Sequence, residues 1–563
     1  MRGTRGITWR TLCISAQAES GSSKGKTGAA LKRGETEQTP EEIARGLEGF
    51  LAEHPRALVL EDGRVVFEMR AAKYRLATEH GRCTLHLWSE ERNLVRRVSA
   101  AVFRNGALRL SAHRFGQTRP QTLEFVDDRD RRTPSARETT RNRYVRVLER
   151  VLAREFHEWK PDGLRTAMDL EKSFGPAYAR GSLVKGQQAW AVIGVNAEET
   201  PAAVDGILTL GILWLDHCRA SGDGRRVYQG LKVVVPRGMG SLTASRMAWL
   251  NDRAARWELW ELNQSTEEIE QREAGDHGNL ATRLVHAPNE TAARERFRNT
   301  ITRVMALVPE TMRGVVEQRV RSGSEIGFLL HGLEFARVRV GYTGNSFNRE
   351  EEIAFGAGAN ETQLTAENEA ELRELVARLF ERRHADGDKR DPLYRMQPER
   401  WLESVLRRDV EPLDARLSTA HVYTQVPAFA AGDRGMLDLL GVTDDGRLAV
   451  IELKADEDLH LALQGLDYWV RVRWHHRQTA DTAERQGFGL GEFQRLGYFG
   501  GMRLSEDDPR LYLVAPALRV HPATEVVLKY LSPRVDWTLV ALDERWREKV
   551  KTVWRKRSGS MAR

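Results

Sequence analysis

The chain reads as an α/β protein in which two α/β segments are preceded and separated by β-rich modules. Three observations predict that class. Apolar strand-like runs alternate with helical periodicity over residues 144–265 and again over 366–555. After a helical pattern in "PEEIARGLEGFLAEH", strand-like runs without intervening helices fill the stretch to about residue 125. An internal repeat then ties the two α/β segments together. "AVIGVNAEE" (Ala191 to Glu199) matches "AVIELKADE" (Ala449 to Glu457) at an offset of 258, and "LKVVVP" from Leu231 matches "LYLVAP" from Leu511 at an offset of 280. The second offset continues to "WELWEL" against "WTLVAL", which aligns Trp257 with Trp537. The difference of 22 places an insertion in the later copy around "RQTADTAERQGFGLGEF". A helix lies between the two blocks in each copy, and its register stays open.

At 563 residues the chain is too long for one core, so several domains are expected. Residues 1–45 have the polar, Gly/Ser/Lys-rich composition of a disordered tail. A β-rich module follows over 46–126, where "RALVLEDGRVVFEMR" alternates apolar and polar positions. "DDRDRRTPSARETTRNR" makes 127–143 a solvated linker. The middle α/β segment, 144–265, opens with the amphipathic helix "YVRVLERVLAREFHEW". The polar stretch "NQSTEEIEQREAGDHGN" (Asn263 to Asn279) reads as a linker into residues 266–365, which go on as a helical and β-rich module. The final α/β domain spans 366–555, and 556–563 form a tail.

Composition narrows the class further. The chain is 41% hydrophobic and 30% charged, a globular balance. Its net charge of +7 is the small remainder of 87 basic and 80 acidic residues, so only a local basic surface would point to a polyanion. Cys13, Cys83 and Cys218 lie far apart without a CxxC pair, which argues against a disulfide framework or zinc ribbon and for a reducing cytoplasm. No apolar run reaches the length of a membrane span, and the first twenty residues lack the continuous apolar stretch of a signal peptide.

The most informative stretch is "GMLDLLGVTDDGRLAVIELKADED", Gly435 to Asp458. Asp-Gly between two apolar runs signals a hairpin. A three-residue loop of Asp444, Asp445 and Gly446, with Gly446 left-handed, sets Thr443 opposite Arg447 and Asp438 opposite Glu452. Their Cβ atoms would then lie about 5 Å apart. Lys454 shares that face. A two-residue loop would instead put the acids on opposite faces. The plain alternative is a cross-strand Asp438–Lys454 ion pair with Glu452 toward solvent. The strands flanking these charges read as buried on both sides, however, and charge there needs a reason. Two adjacent carboxylates suit a divalent cation, since Mg²⁺ takes oxygen ligands from one or two carboxylates, phosphate and water.

Asp438, thirteen intervening residues, and then Glu452-Leu453-Lys454 resemble the PD-(D/E)xK nuclease superfamily. That resemblance implies a restriction-endonuclease-like αβββαβ core acting on DNA with Mg²⁺ or Mn²⁺. It implies Asp438 and Glu452 as metal ligands with the Leu453 carbonyl, and Lys454 as the residue serving the attacking water. In that family a preceding helix often adds an acid. In "PERWLESVLRRDV" Glu403 is the best match, and Glu399 lies nearer the helix start. Gln464 and Tyr468, one turn apart in "DLHLALQGLDYWVRVRW", resemble the QxxxY element of the RecB-like branch, whose residues face the active site. Leu437, where that family often has proline, is one departure. The resemblance covers roughly residues 395–545.

At the 258 offset Glu452 corresponds to Gly194 and Lys454 to Asn196, and no Asp or Glu lies between Ser173 and Gly194. The middle segment is therefore expected to be a degenerate nuclease-like copy unable to hold a metal. "GAGAN" (Gly356 to Asn360) lacks the P-loop pattern, so no ATPase engine is expected. The pair His475-His476 reads as solvated. "REKVKTVWRKRSGSMAR" either grips phosphates or trails from a terminal helix. The expectation is a cytoplasmic, metal-dependent DNA endonuclease, with a homodimer left open. The alternative is a non-catalytic nucleic-acid-binding or scaffold protein that keeps a nuclease fold for its shape. Whether the substrate is duplex, single-stranded, mismatched or branched DNA, or RNA, is open at this level.

Overall fold

The computed structural model describes residues 38–61, 64–69, 72–79, 82–88, 93–104, 106–113, 121–127, 134–167, 174–221, 226–275, 283–342, 349–356, 361–430, 433–486 and 491–561. Most of the expected tail (1–37), part of the first linker (128–133) and most of the Gly-rich "GAGAN" (357–360) lie outside them. The chain forms two compact units, Met1–Glu138 and Thr139–Arg563. Both are built from mixed α and β structure. Among the described residues no helix is long and apolar enough to cross a membrane.

In the first unit, Thr39 and Glu42 form a reciprocal capping box that starts the helix Pro40–Glu53. Its buried stripe of Ile43, Leu47, Phe50 and Leu51 packs on a seven-stranded antiparallel sheet. Alternating side chains such as Leu85, Leu87, Leu108 and Leu110 supply the other half of that core.

The second unit contains two α/β sheets and a five-stranded antiparallel sheet over 316–363. The middle sheet is built from β1 (Lys160–Arg165), β2 (Tyr178–Lys185), β3 (Gln188–Val195), β4 (Val227–Pro236), β5 (Arg256–Asn263) and β6 (Glu268–Arg272), adjacent in that order. Helix α1 (Pro134–Glu155) precedes it, α2 (Pro201–Ser221) links β3 to β4, and α3 (Ser241–Met247) links β4 to β5. The C-terminal sheet repeats this plan. Its strands are β7 (Tyr423–Ala430), β8 (Asp433–Val442), β9 (Leu448–Leu453), β10 (Arg510–Pro516), β11 (Trp537–Leu542) and β12 (Thr552–Arg557). Helices α4 (Pro398–Arg408), α5 (Leu461–Gln486) and α6 (Pro522–Lys529) hold the corresponding places. A short strand, Arg283–Leu284, adds to the edge beside β7.

The pairings agree along both sheets. The outer pairs are antiparallel, and the β3–β4–β5 and β9–β10–β11 pairs are parallel. Parallel neighbours need a crossover, which α2, α3, α5 and α6 supply. Leu231 pairs with Trp257, and Leu511 pairs with Trp537, so the 280 offset is also a match in register. The two sheets do not form separate cores. A single buried cluster runs from Ile193, Ile207 and Val233 through Trp249 to Val450, Trp469 and Leu513.

Several stretches read as linker or tail take up structure. Helix α1 begins at Pro134, inside the expected 127–143 linker. β6 lies within the polar "NQSTEEIEQREAGDHGN" as an edge strand with its side chains largely exposed. β12 reaches into the expected 556–563 tail, and Arg555 and Lys556 bond to Leu413 O, Pro412 O and Glu525. An edge strand with a wet face has the same composition as a linker, which is why polarity alone does not separate them. His475, expected to be solvated, is 3% exposed and bonds to Glu492 Oε2 at 2.9 Å, because α5 continues to Gln486.

Candidate active site

The hairpin forms in the expected register. Gly446 has φ +79°, Thr443 N donates to Arg447 O at 2.9 Å, and Leu439 pairs with Ile451. The next step along the ladder would set Asp438 opposite Glu452, but β8 and β9 part there. The backbone ladder stops at Leu439, and the Asp438 side chain replaces it, with Oδ2 accepting from Leu453 N at 2.9 Å. A strand residue's N–H and C=O point to the same side, so the Leu453 carbonyl also opens into the fork. On the other side of β9, Lys454 N donates to Val514 O at 2.9 Å and anchors the strand end to β10.

Glu452 is 3% exposed, and its Oε1 takes a hydrogen bond from Lys454 Nζ at 3.0 Å. The plain alternative, an Asp438–Lys454 ion pair with Glu452 toward solvent, therefore does not describe this strand pair. Helix α5 covers the site through Gly465, where an added Cβ would lie 2.4 Å from Leu513 Cδ2 and 3.5 Å from Glu452 Cβ. Gln464 and Tyr468 flank that glycine. Among the described residues, Glu452 Oε2 and Gln464 Oε1 are buried without a hydrogen-bond partner. Such orphaned oxygens cost on the order of 1–3 kcal/mol each unless a ligand meets them.

The electrostatics point the same way. Burial pushes the Asp438 carboxyl up to about 6, the Leu453 N–H and Lys454 ammonium pull it back, and the charges of Glu403 and Glu399 push it further. Burial, followed by the adjacent Asp438 carboxylate, raises Glu452 well above the usual carboxylate range. For Lys454 burial works against the charge, yet Glu452, Glu399 and Asp438 outweigh it and hold the ammonium above its ordinary value. Tyr468 is raised by burial and then by the same two carboxylates. Asp438 and Glu452 thus press on each other, and the charge of Glu399 adds to both, with a single ammonium among them. That surplus of negative charge is what a cation would relieve.

Glu403 is corrected as a metal ligand. It is 1% exposed, Oε1 accepts from Arg319 Nη1 at 2.9 Å, and Oε2 accepts from Arg400 Nη1 at 2.7 Å. Its carboxylate is committed to fastening α4 to the five-stranded sheet. Glu399, one turn earlier, is the acid whose charge reaches Asp438, Glu452 and Lys454 together. Helical spacing offered both acids. The discriminating fact, a buried Arg319 more than eighty residues away, has no local signal.

The counterpart in the middle sheet also needs a one-residue correction. Gly194 faces α1, where an added Cβ would meet Tyr144 Oη at 2.5 Å, so it cannot match Glu452 on the α5 side. Ile193 pairs with Val233 as Glu452 pairs with Leu513, and Ile193 also pairs with Arg180. The equivalents of Asp438, Glu452 and Lys454 are therefore Arg180, Ile193 and Val195. Gly211, whose Cβ would lie 2.8 Å from Leu231 Cδ2 and 3.0 Å from Ile193 Cγ2, matches Gly465 and settles the helix register. Trp214 then stands where Tyr468 stands. Arg180 is 2% exposed, with its guanidinium 4.7 Å from the Phe174 ring and 5.8 Å from Trp214. Sequence matching missed this because a single-residue slip reverses every face of a strand.

No protein-family profile matches the chain, and no curated protein matches it. Among the described residues, no group of three or more His, Cys, Asp or Glu side chains converges as a metal cage. Two carboxylates and a carbonyl oxygen fit instead a hard divalent cation that also takes ligands from substrate phosphate and water.

Proposed function

We propose that the chain is a metal-dependent nuclease that hydrolyses phosphodiester bonds in DNA at the fork between β8 and β9. The observation that carries this is the pair of acids, the half-buried Asp438 and the buried Glu452, set against each other with an oxygen of Glu452 left unpartnered. Asp438, Glu452 and the Leu453 carbonyl would hold Mg²⁺ or Mn²⁺. Such an ion supplies charge neutralisation and a polarised water when bound. Lys454, kept protonated by three carboxylates, favours orienting the attacking water and balancing phosphate charge over removing a proton. Gln464 and Tyr468 line the α5 side, where the Gln464 oxygen would accept from a water or a ligand-bound hydroxyl. Water attacks phosphorus, one P–O bond breaks, and a phosphate monoester and a hydroxyl end result. The arrangement accords with the PD-(D/E)xK superfamily and its restriction-endonuclease-like αβββαβ core, with the middle sheet as a degenerate copy. The buried free thiols Cys83 and Cys218 suit a reducing cytoplasm.

A second reading, a non-catalytic nucleic-acid scaffold, draws on the Lys454–Glu452 ion pair, which already neutralises one acid. Wild type and Lys454→Ala, incubated with plasmid and branched DNA in Mg²⁺ or Mn²⁺, separate the two. Cleavage by wild type alone is expected. Equal cleavage by both proteins would place the activity elsewhere, and no cleavage by either would favour the scaffold.

A further inference from the structure

The middle and C-terminal sheets meet as the two halves of a two-fold dimer do, through equivalent places. Helix α2 packs on α6, and α5, the counterpart of α2, packs on α3, the counterpart of α6. Gly206 and His460 each lie five residues before the matched glycines, and they touch. A Cβ on Gly206 would stand 2.8 Å from His460 Cε1, and His460 Nδ1 lies 3.0 Å from Thr209 Oγ1. At the far end Leu250 and Leu531, one residue from strict equivalence, form an antiparallel bridge. Asn251 N donates to Tyr530 O and Ser532 N donates to Trp249 O, both at 2.8 Å. Arg219 lies over the Tyr530 ring at 5.8 Å, and its counterpart Arg473 lies over Trp249 at 4.7 Å.

These contacts fix the direction of the pseudo-axis. The first lies where α2 and α5 begin, just past the C-terminal ends of β3 and β9. The second lies just ahead of β5 and β11, at the opposite ends of the parallel strands. The axis therefore runs along the strands, and rotation about it leaves the C-terminal ends of β3 and β9 on one face. Glu452 and Lys454 stand at one of those ends. Ile193 and Val195 stand at the other, and aliphatic side chains can neither hold a cation nor align water.

Building on the nuclease reading, we infer that this face takes duplex DNA and that each binding event cuts one strand. A two-fold protein surface matches the local two-fold of a duplex. With one backbone at Asp438, Glu452 and Lys454, the other lies toward the blank end beside Ile193 and Val195. One water is consumed, one P–O bond breaks, one phosphate monoester and one hydroxyl end form, and the opposite strand stays closed.

Supercoiled plasmid in molar excess over the full chain, with Mg²⁺, tests this. Open circles are expected to exceed linear molecules about tenfold when half the plasmid is consumed, with linear DNA appearing after a lag. Linear DNA formed without a lag in fixed proportion overturns the one-strand inference and leaves the nuclease reading standing. So does a linear product that rises with the square of protein concentration, because two chains would then supply two competent centres. Cleavage confined to single-stranded DNA overturns the duplex assignment alone. No cleavage of any substrate removes this inference and the nuclease reading together. A footprint of Asp438→Asn on a defined duplex, expected to protect both strands, overturns the two-backbone docking if only one strand is protected.

Discussion

The ends of β3 and β9 occupy matching places in two sheets of one plan, and they are filled in opposite ways. At the middle sheet, Ile193 and Val195 join an apolar cluster, and the buried Arg180 is laid against the rings of Phe174 and Trp214. At the C-terminal sheet, Asp438, Glu452 and Lys454 replace them, Tyr468 stands in for the larger Trp214, and two buried oxygens have no partner. The shared plan needs no acid at this point, since the middle sheet is built with Arg180 and Ile193 where Asp438 and Glu452 stand. The acids are thus a burden carried by one half only, and their retention there is the strongest argument that they serve something other than folding.

The sharpest way to break this comparison is through activity. Lys454→Ala or Glu452→Gln should lower plasmid cleavage by about a thousandfold, as expected on losing charge stabilisation at a metal-assisted centre. Val195→Ala should change cleavage less than about threefold. Loss of activity in the Val195 variant at unchanged stability would mean that the blank end is not blank.

Stability should sort the halves the other way. Ile193→Ala removes buried aliphatic volume beside Gly211 and Arg180 and should cost about 2–4 kcal/mol in urea unfolding. Glu452→Gln, in chelator, should cost less than about 1 kcal/mol, because relief of the repulsion with Asp438 offsets loss of the ion pair with Lys454. Destabilisation by Glu452→Gln as large as that by Ile193→Ala would make the acid structural.

The pH dependence sharpens the same contrast. Asp438 goes from an ordinary 3.8 to about 6 in the folded chain. Between those values the native state keeps a proton that the unfolded chain releases. Metal-free stability should therefore fall as pH rises from about 4 through 6, by about 3 kcal/mol from Asp438, and the raised Glu452 carboxyl extends the fall in the same direction. Asp438→Asn should remove that contribution, and Mg²⁺ at pH 7.5 should raise the melting temperature of the wild type alone. Val195→Ala should leave the pH profile of stability unchanged. The smallest effects separate the two acids of α4. Glu399→Gln should reduce cleavage about three- to tenfold with stability held, whereas Glu403→Gln should loosen α4 through Arg319 with a cost of about 1–3 kcal/mol. The reverse pattern would return Glu403 to the site.

The hairpin register, the left-handed Gly446 and the shared order of the two segments were all legible, because each rests on a local rule: turn chemistry, strand alternation and repeat spacing. What stayed illegible depends on distant partners or on parity. Arg319 claims Glu403 across the chain. The polar faces of β6 and β12 look like linkers until their sheet neighbours are present. The equivalence of Ile193 with Glu452 required knowing which side of β3 faces α2, and an alignment scored on residue likeness favours the slip that reverses it. The Gly211 and Gly465 contacts supply that parity, although a glycine inside a helix pattern announces only that something comes close.

Joining the two halves in one polypeptide has a consequence for how they change over time. In an assembly of identical subunits every substitution is made twice, so a residue that improves a contact at one end must be tolerated at the other. Here position 195 can become aliphatic while position 454 stays basic, and either half can change its packing without a matching change in the other. Fusion also fixes their ratio at one to one at any dilution, so a single molecule carries its own counterpart wherever it goes.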